Sequence, residues 1–429
     1  MVAVERIVGS YNAWAGNGAV RAPEWLKEMR SGAIARFASL GFPNMKQEAW
    51  RFTSVAPLAE GSFELATPPA RVPTLDDIRP FLLFEAGYRL VFVDGFFQRS
   101  LSTPFLDDVQ SLAHVVTHRQ DLVREHLGKY AATDDRPFSA LNTAFVSDGA
   151  FVHVPAKATI AEPIQLLFLA SGKQVVTHPR NLIVIEREAR ATIVETYASL
   201  GQDVYWTNAV TEISAGEGAR VDFHRVQRES PRAYHVAATQ TQQGRDSTVN
   251  FHAVAFGGAL ARHDIGAVMA GPGGTLILNG LYLLAGAQHA DHHTTIDHAA
   301  DHCSSHEYFN GVLDDTSRGV FTGRIIVRPG AQKTDSKQTN NNLLLSGQAH
   351  ADSQPQLEIY ADDVKCTHGS TVGPLDPRAL FYLQSRGVGE HEARRLLTYG
   401  FAAEILGRME VAPLRAQLDA IVRGRLAES

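Results

Sequence analysis

Four nine-residue stretches decide how this chain reads: IEREARATI (185–193), ISAGEGARV (213–221), TQQGRDSTV (241–249) and VMAGPGGTL (268–276). Each opens on an aliphatic residue, or on Thr241 in the third. A small residue follows six places on and an aliphatic residue two beyond it: Ala191/Ile193, Ala219/Val221, Ser247/Val249 and Gly274/Leu276. VHVPAKATI (152–160) has the same form upstream, and the five starts are separated by 33, 28, 28 and 27 residues. A beat of roughly 28 residues, at about 3.3 Å per residue, holds two or three short strands with their turns, the length of one coil of a β-solenoid. The small residue then falls where the chain turns, and the aliphatic residues stack on their equivalents in neighbouring coils. Weaker echoes at Ile296 and Ile325 extend the array. Eight glycines between Gly257 and Gly286 are too many for helices. The expectation is a mainly β chain with a parallel β-helix core over residues 151–370. A β-sandwich is the rival, but its strands have no reason to keep a fixed beat.

Working outward, residues 1–150 read as a mixed, mostly helical domain. Pro23 precedes Leu26, Met29, Ile34, Phe37 and Leu40 at near-helical spacing, and Gly41 with Pro43 ends that helix. Asp94-Gly95 between apolar runs signals a hairpin, and a helical stretch is expected near residues 104–128. Residues 371–429 read as a helical domain. Asp376 can cap a helix with Pro377 at its first position and Ala379, Leu380 and Leu383 as its stripe; a second helix has Ala393, Leu396, Leu397, Phe401 and Ile405 on one face.

Composition narrows the function classes. The 429 residues include 44% hydrophobic residues and carry a net charge of −6. Neither a Lys/Arg-rich run nor an unbroken apolar stretch is present, which argues against a nucleic-acid surface and a membrane span. Residues 1–16 lack a basic start followed by an apolar core, so no signal peptide is expected. Cys303 and Cys366 stand 63 positions apart without a CxxC pair, so neither a disulfide framework nor a four-thiolate site is expected, and a reducing cytoplasmic setting fits. No GxxxxGK[ST], GxGxxG or GxSxG occurs, so nucleotide binding is not expected of this chain.

Two constellations carry chemistry. The first is the cluster His289, His292, His293, His298, His302 and His306 with Asp291, Asp297, Asp301 and Cys303 among them. Imidazole and carboxylate bind transition metals, and His292, His293 and His298 are the metal candidates; in a solenoid such residues also build hydrogen-bonded ladders at turns and on outward faces. The second is Cys366-Thr367-His368. If the strand persists to His368, thiol and imidazole project to the same side, and Lys365 beside them would lower the thiol pKa. Two ligands fill only half of a four-ligand shell, so the pair is either a bland end-cap or a site completed by another chain.

These residues resemble a known family, the SufB/SufD iron-sulfur cluster assembly proteins. The resemblance is carried by DHHTTIDH (291–298), GVFTGR (319–324), NLLLS (342–346), residues 356–371 and FYLQSRG (381–387), and in the N-terminal part by GFP (41–43), EAWRFT (48–53) and residues 90–102. It covers nearly the whole chain. What it implies is a right-handed parallel β-helix between helical end domains, acting with SufB and the ABC-type ATPase SufC to form a transient cluster at the SufB–SufD interface. His368 then falls on the interface histidine and Cys366 on its neighbouring cysteine. The helices carrying Asp376, Leu380, Arg386, Leu396 and Phe401 fall on the ATPase-docking region. The SufB branch is expected to place a cysteine ahead of the Leu-Leu run, where this chain has Asn340-Asn341-Asn342, and His-Glu where it has His368-Gly369. The resemblance is therefore to SufD, a non-enzymatic subunit. A β-helix polysaccharide lyase or hydrolase using Asp291, Asp297, Asp314 and Asp315, and a structural homodimer without a cluster role, are the rival readings.

Overall fold

Strands feed two facing sheets in turn, so that each coil gives one strand to each. The computed structural model describes residues 2–17, 22–84, 87–103 and 108–428. The result is a parallel β-solenoid of about eight turns with helices at both ends of the chain. The first sheet runs in parallel from Ala150–Val154 to His350–Ile359, and the second from Tyr88–Val93 to Lys365–Gly373.

The repeat holds, with a correction of phase. Val221, Val249 and Leu276 are true ladder partners on the second sheet. Ala189, Ala219 and Ser247 are fully buried at matching turns, closed by their backbone N–H groups onto Glu186, Gly216 and Gly244. The apolar starts are less regular. Ile213 stands beside Ile183 rather than Ile185, and Thr241 beside Ala267 rather than Val268. Turns between the two sheets gain or lose a residue or two, and the register absorbs the difference.

Alternation along each strand sends one set of side chains into the lumen and the other outward. Ile193, Phe223, Phe251 and Leu278 form one lumen column. The outward faces are covered. On the first sheet Phe37, Trp50 and Phe138 of the N-terminal segments pack on Trp206, Val236 and Leu260. On the second, Ile405, Leu406, Leu414 and Leu418 of helices Glu390–Leu406 and Ala412–Glu428 pack on Val226, Val254 and Leu281.

Local expectations fare unevenly. Helix Glu24–Leu40 stops at Gly41, whose φ of 67° suits glycine. Asp94 and Gly95 turn with φ of 49° and 82° between Tyr88–Val93 and Phe96–Phe97, and Tyr88–Val93 then pairs in parallel with Ile164–Ala170 as part of the solenoid. Residues 104–107 of the expected helical stretch lie outside the described residues; beyond them come strand Val109–Ser111 and helices Leu112–His118 and Gln120–His126. Leu396 does not join the buried face of its helix. Ala393, Thr398, Ala402, Ile405 and Leu406 form that face, because the solenoid meets the helix about a third of a turn from the stripe read off the sequence. Among the described residues no helix is long and apolar enough to cross a membrane.

Candidate functional site at the open end of the solenoid

Among the described residues the last coil has nothing stacked on it. Strands His350–Ile359 and Lys365–Gly373 each pair on one side only. The Lys365 N–H donates to Thr334 and the His350 N–H to Ser317, so the alternate residues turn their backbone groups outward. The free edges therefore present the N–H groups of Cys366, His368, Ser370 and Val372 on one sheet, and of Ala351, Ser353, Leu357 and Ile359 on the other. Pro355 falls on an outward position, where its missing N–H leaves no ladder bond unmade. A Ser370 to Ser353 hydroxyl bond of 2.8 Å spans the mouth of the lumen.

Cys366 and His368 face that lumen from strand Lys365–Gly373, as the two-residue spacing predicts. Register shows what stands behind them. One column runs Ala191, Val221, Val249, Leu276, Ser305, Ser336, Cys366; the next runs Ile193, Phe223, Phe251, Leu278, Glu307, Gln338, His368. Both are apolar for four coils and polar for the last three. Ser336 and Ser305 share a bond of 2.8 Å, and Ser305 meets His298 Nε2 at 2.8 Å. Gln338 Nε2 donates to Glu307 Oε2 at 2.6 Å. Burial pushes the Glu307 carboxyl up to about 7, against the pull of Thr294 and Gln338.

The thiol corrects an expectation. Burial and the Asp335 charge push the Cys366 pKa up, opposed by a backbone hydrogen bond from Ser336. Lys365 faces away from the lumen and does not activate it. His368 is exposed.

The histidine cluster does not converge. His292 enters the lumen and stacks on Tyr282 at 5.1 Å, and His298 enters it at Ser305. His293 lies outside, 3.0 Å from Asp291, and His289 meets Thr53 at 3.0 Å. His302 occupies a turn with φ of 57°, and His306 is exposed. Among the described residues no three His, Cys, Asp or Glu side chains stand at metal-binding spacing. The acidic candidates are dispersed too: Asp291 is buried under Arg262 at 2.6 Å, Asp297 pairs with Arg328 at 2.9 Å, and Asp315 forms a turn. Asn340 and Asn342 bond Tyr282 inside the lumen, filling with amides the place where a thiolate was sought.

Of the docking candidates, Asp376 caps helix Pro377–Ser385 by accepting the Arg378 N–H at 2.9 Å. That helix buries none of its residues. Leu380 is half-buried; Arg386 is exposed and lies 5.5 Å from the Tyr382 ring. Phe401 packs toward the solenoid and its carbonyl accepts from Asn310 at 3.0 Å. The more exposed apolar surface is Phe381 and Tyr382, at 71% and 58%, with Leu396 at 45%.

Among the described residues the chain is a parallel solenoid with covered flanks and an open end that bears a thiol. The protein-family comparison agrees with it: residues 168–401 match the SUF system FeS cluster assembly SufBD core domain and residues 11–166 the SufBD protein N-terminal region. The chain belongs to the SufB/SufD family of iron-sulfur cluster assembly proteins. It is 35% identical over 418 residues to a SufBD family protein of Synechocystis, covering 93% of this chain and 91% of the relative. It is 31% identical to Escherichia coli SufD over 395 residues, 90% of each, and 27% identical to Bacillus subtilis SufD over 428 residues, 94% of each.

Proposed function

We propose that the chain is the SufD-like subunit of a cluster assembly scaffold, offering half of a nascent iron-sulfur site at its open end and leaving the other half to a SufB-like sister chain. One observation carries this reading: Cys366 and His368 share the lumen face of a strand whose outward edge pairs with no other strand among the described residues. A cluster generally takes about four ligands, mostly thiolates. One thiol and one imidazole supply half a set, and strands added to the two edges by a partner would bring the rest. The cluster is transient cargo. Cys366 gives up its proton as it binds iron, and a cytoplasmic, reducing setting keeps its sulfur free to do so.

The chain itself binds no nucleotide and catalyses no reaction on this reading. A SufC-like ABC ATPase docks on the C-terminal helices, where Phe381, Tyr382 and Leu396 are turned to solvent. Helix Glu390–Leu406 also touches strand Ser304–Leu313 through Phe401 and Asn310, a short path from that surface to the polar lumen. Without a sister chain the same edges can pair two copies of this one.

The experiment is anaerobic purification of the co-expressed complex with wild-type and His368→Ala chains. Complex of unchanged composition with much less iron and sulfide is expected of the variant. Wild-type cluster content on the variant complex contradicts the role given to His368.

A further inference from the structure

We infer that Gln338 is the positioning residue for His368: once the open end is covered, the imidazole N–H of His368 donates to Gln338 Oε1, leaving the other ring nitrogen with a free lone pair directed at iron. This rests on the proposed function in taking His368 as a ligand.

Gln338 is the ladder partner of His368, on the same lumen face and about 4.8 Å away along the stack. It is 1% exposed. Its Nε2 donates to Glu307 Oε2 at 2.6 Å, and above about pH 7, where Glu307 is ionised and accepts only, the amide has one orientation. Oε1 is left as a buried acceptor without a partner. Across the lumen the amide lies over Gly323, where an added Cβ would come within 2.1 Å of Nε2; glycine is what leaves room for it. The interior thus holds a fixed, unmet acceptor one coil behind an exposed imidazole.

A neutral imidazole has one donor nitrogen and one acceptor, and the partner of the first decides which nitrogen is available to a metal. Ligating histidines regularly give their second N–H to such an oxygen. Once ionised, Glu307 acts one step further back, by denying the amide its alternative flip. The two polar columns then play different parts, the serine column abutting the thiol and the Glu307–Gln338 column orienting the imidazole.

The test titrates ferrous iron against a competing chelator on the anaerobic complex of the full chain with its sister subunit and ATPase. Gln338→Leu is expected to weaken binding about 10–100-fold, the usual effect of removing an outer partner of a ligating histidine. In a His368→Ala background the same substitution is expected to cost nothing more, since Gln338 acts through the imidazole. Equal losses in both backgrounds, or no loss from Gln338→Leu where His368→Ala weakens binding, overturn the inference. Gln338→Asn, which withdraws the oxygen but keeps an amide, gives the same reading if the leucine variant does not assemble. Should His368→Ala leave iron binding unchanged, the proposed function fails instead. The inference is then decided by the ring nitrogen resonances of His368 in the labelled iron-free complex: one tautomer in wild type and a mixture in Gln338→Leu support it, and identical spectra overturn it.

Discussion

Cys366 and His368 were legible as residues two apart, but not the strand that carries them to an end where, among the described residues, no further strand pairs. Ser336, Gln338, Ser305 and Glu307 were not legible, since each lies one or two coils upstream and a register error of one residue turns a side chain from lumen to solvent. The beat located coils to within about two residues, which is too coarse for that. Chemistry at this scale is testable. Cys366 is half-buried with a raised pKa and Cys303 is fully buried; a neutral alkylating reagent should label Cys366 about a hundred-fold faster at about pH 9.5 than at about pH 7, and Cys303 only on unfolding. Labelling of both at one rate would contradict the burial. Glu307 holds its proton up to about 7 folded, against 4.5 unfolded. Its contribution to stability is therefore complete below 4.5 and is lost as pH rises through 7. The denaturation midpoint should fall between about pH 5 and about pH 8, and Glu307→Gln should remove up to about 3 kcal/mol of that fall. Asp291 has the opposite sign. Burial works to raise it, but Arg262 and His293 more than offset that and hold it well below the carboxylate range. Its stability is lost as pH falls, and Asp291→Ala should cost less than the about 3–5 kcal/mol of an orphaned buried charge, because Asp264 still pairs Arg262 at 2.8 Å.

Elements were read best where a local rule governs them. The glycine after helix Glu24–Leu40 and the Asp94-Gly95 hairpin needed only nearby residues. The face of helix Glu390–Leu406 was misread at Leu396 because what selects it is the outer face of the second sheet, whose Asn310 bonds Phe401 from 91 residues upstream. That packing is itself testable: Ile405 and Leu418 are both fully buried between helix and sheet. Replacing either by alanine should cost about 2–5 kcal/mol, read as earlier denaturant unfolding and faster proteolytic release of the C-terminal helices. An unchanged digestion pattern would mean that these helices are held some other way.

Among the described residues the molecule is a stack of coils with covered outer faces and an uncovered last coil. Two lumen columns are apolar through four coils and turn polar in the last three, beside a column that buries the Glu195–Arg225 pair. On the proposed function a sister chain completes the two-ligand set of Cys366 and His368 by pairing with the edges of the last coil. Amide hydrogen exchange of the chain alone and in complex with its sister subunit tests this most directly. In isolation the N–H groups of Cys366, His368, Ser370 and Val372 should exchange fast, while those of Lys365 and Thr367, bonded inward, are slower. In the complex the fast set should slow by orders of magnitude, together with Ala351, Ser353, Leu357 and Ile359. Equally fast exchange of these amides with and without the sister chain would contradict the account.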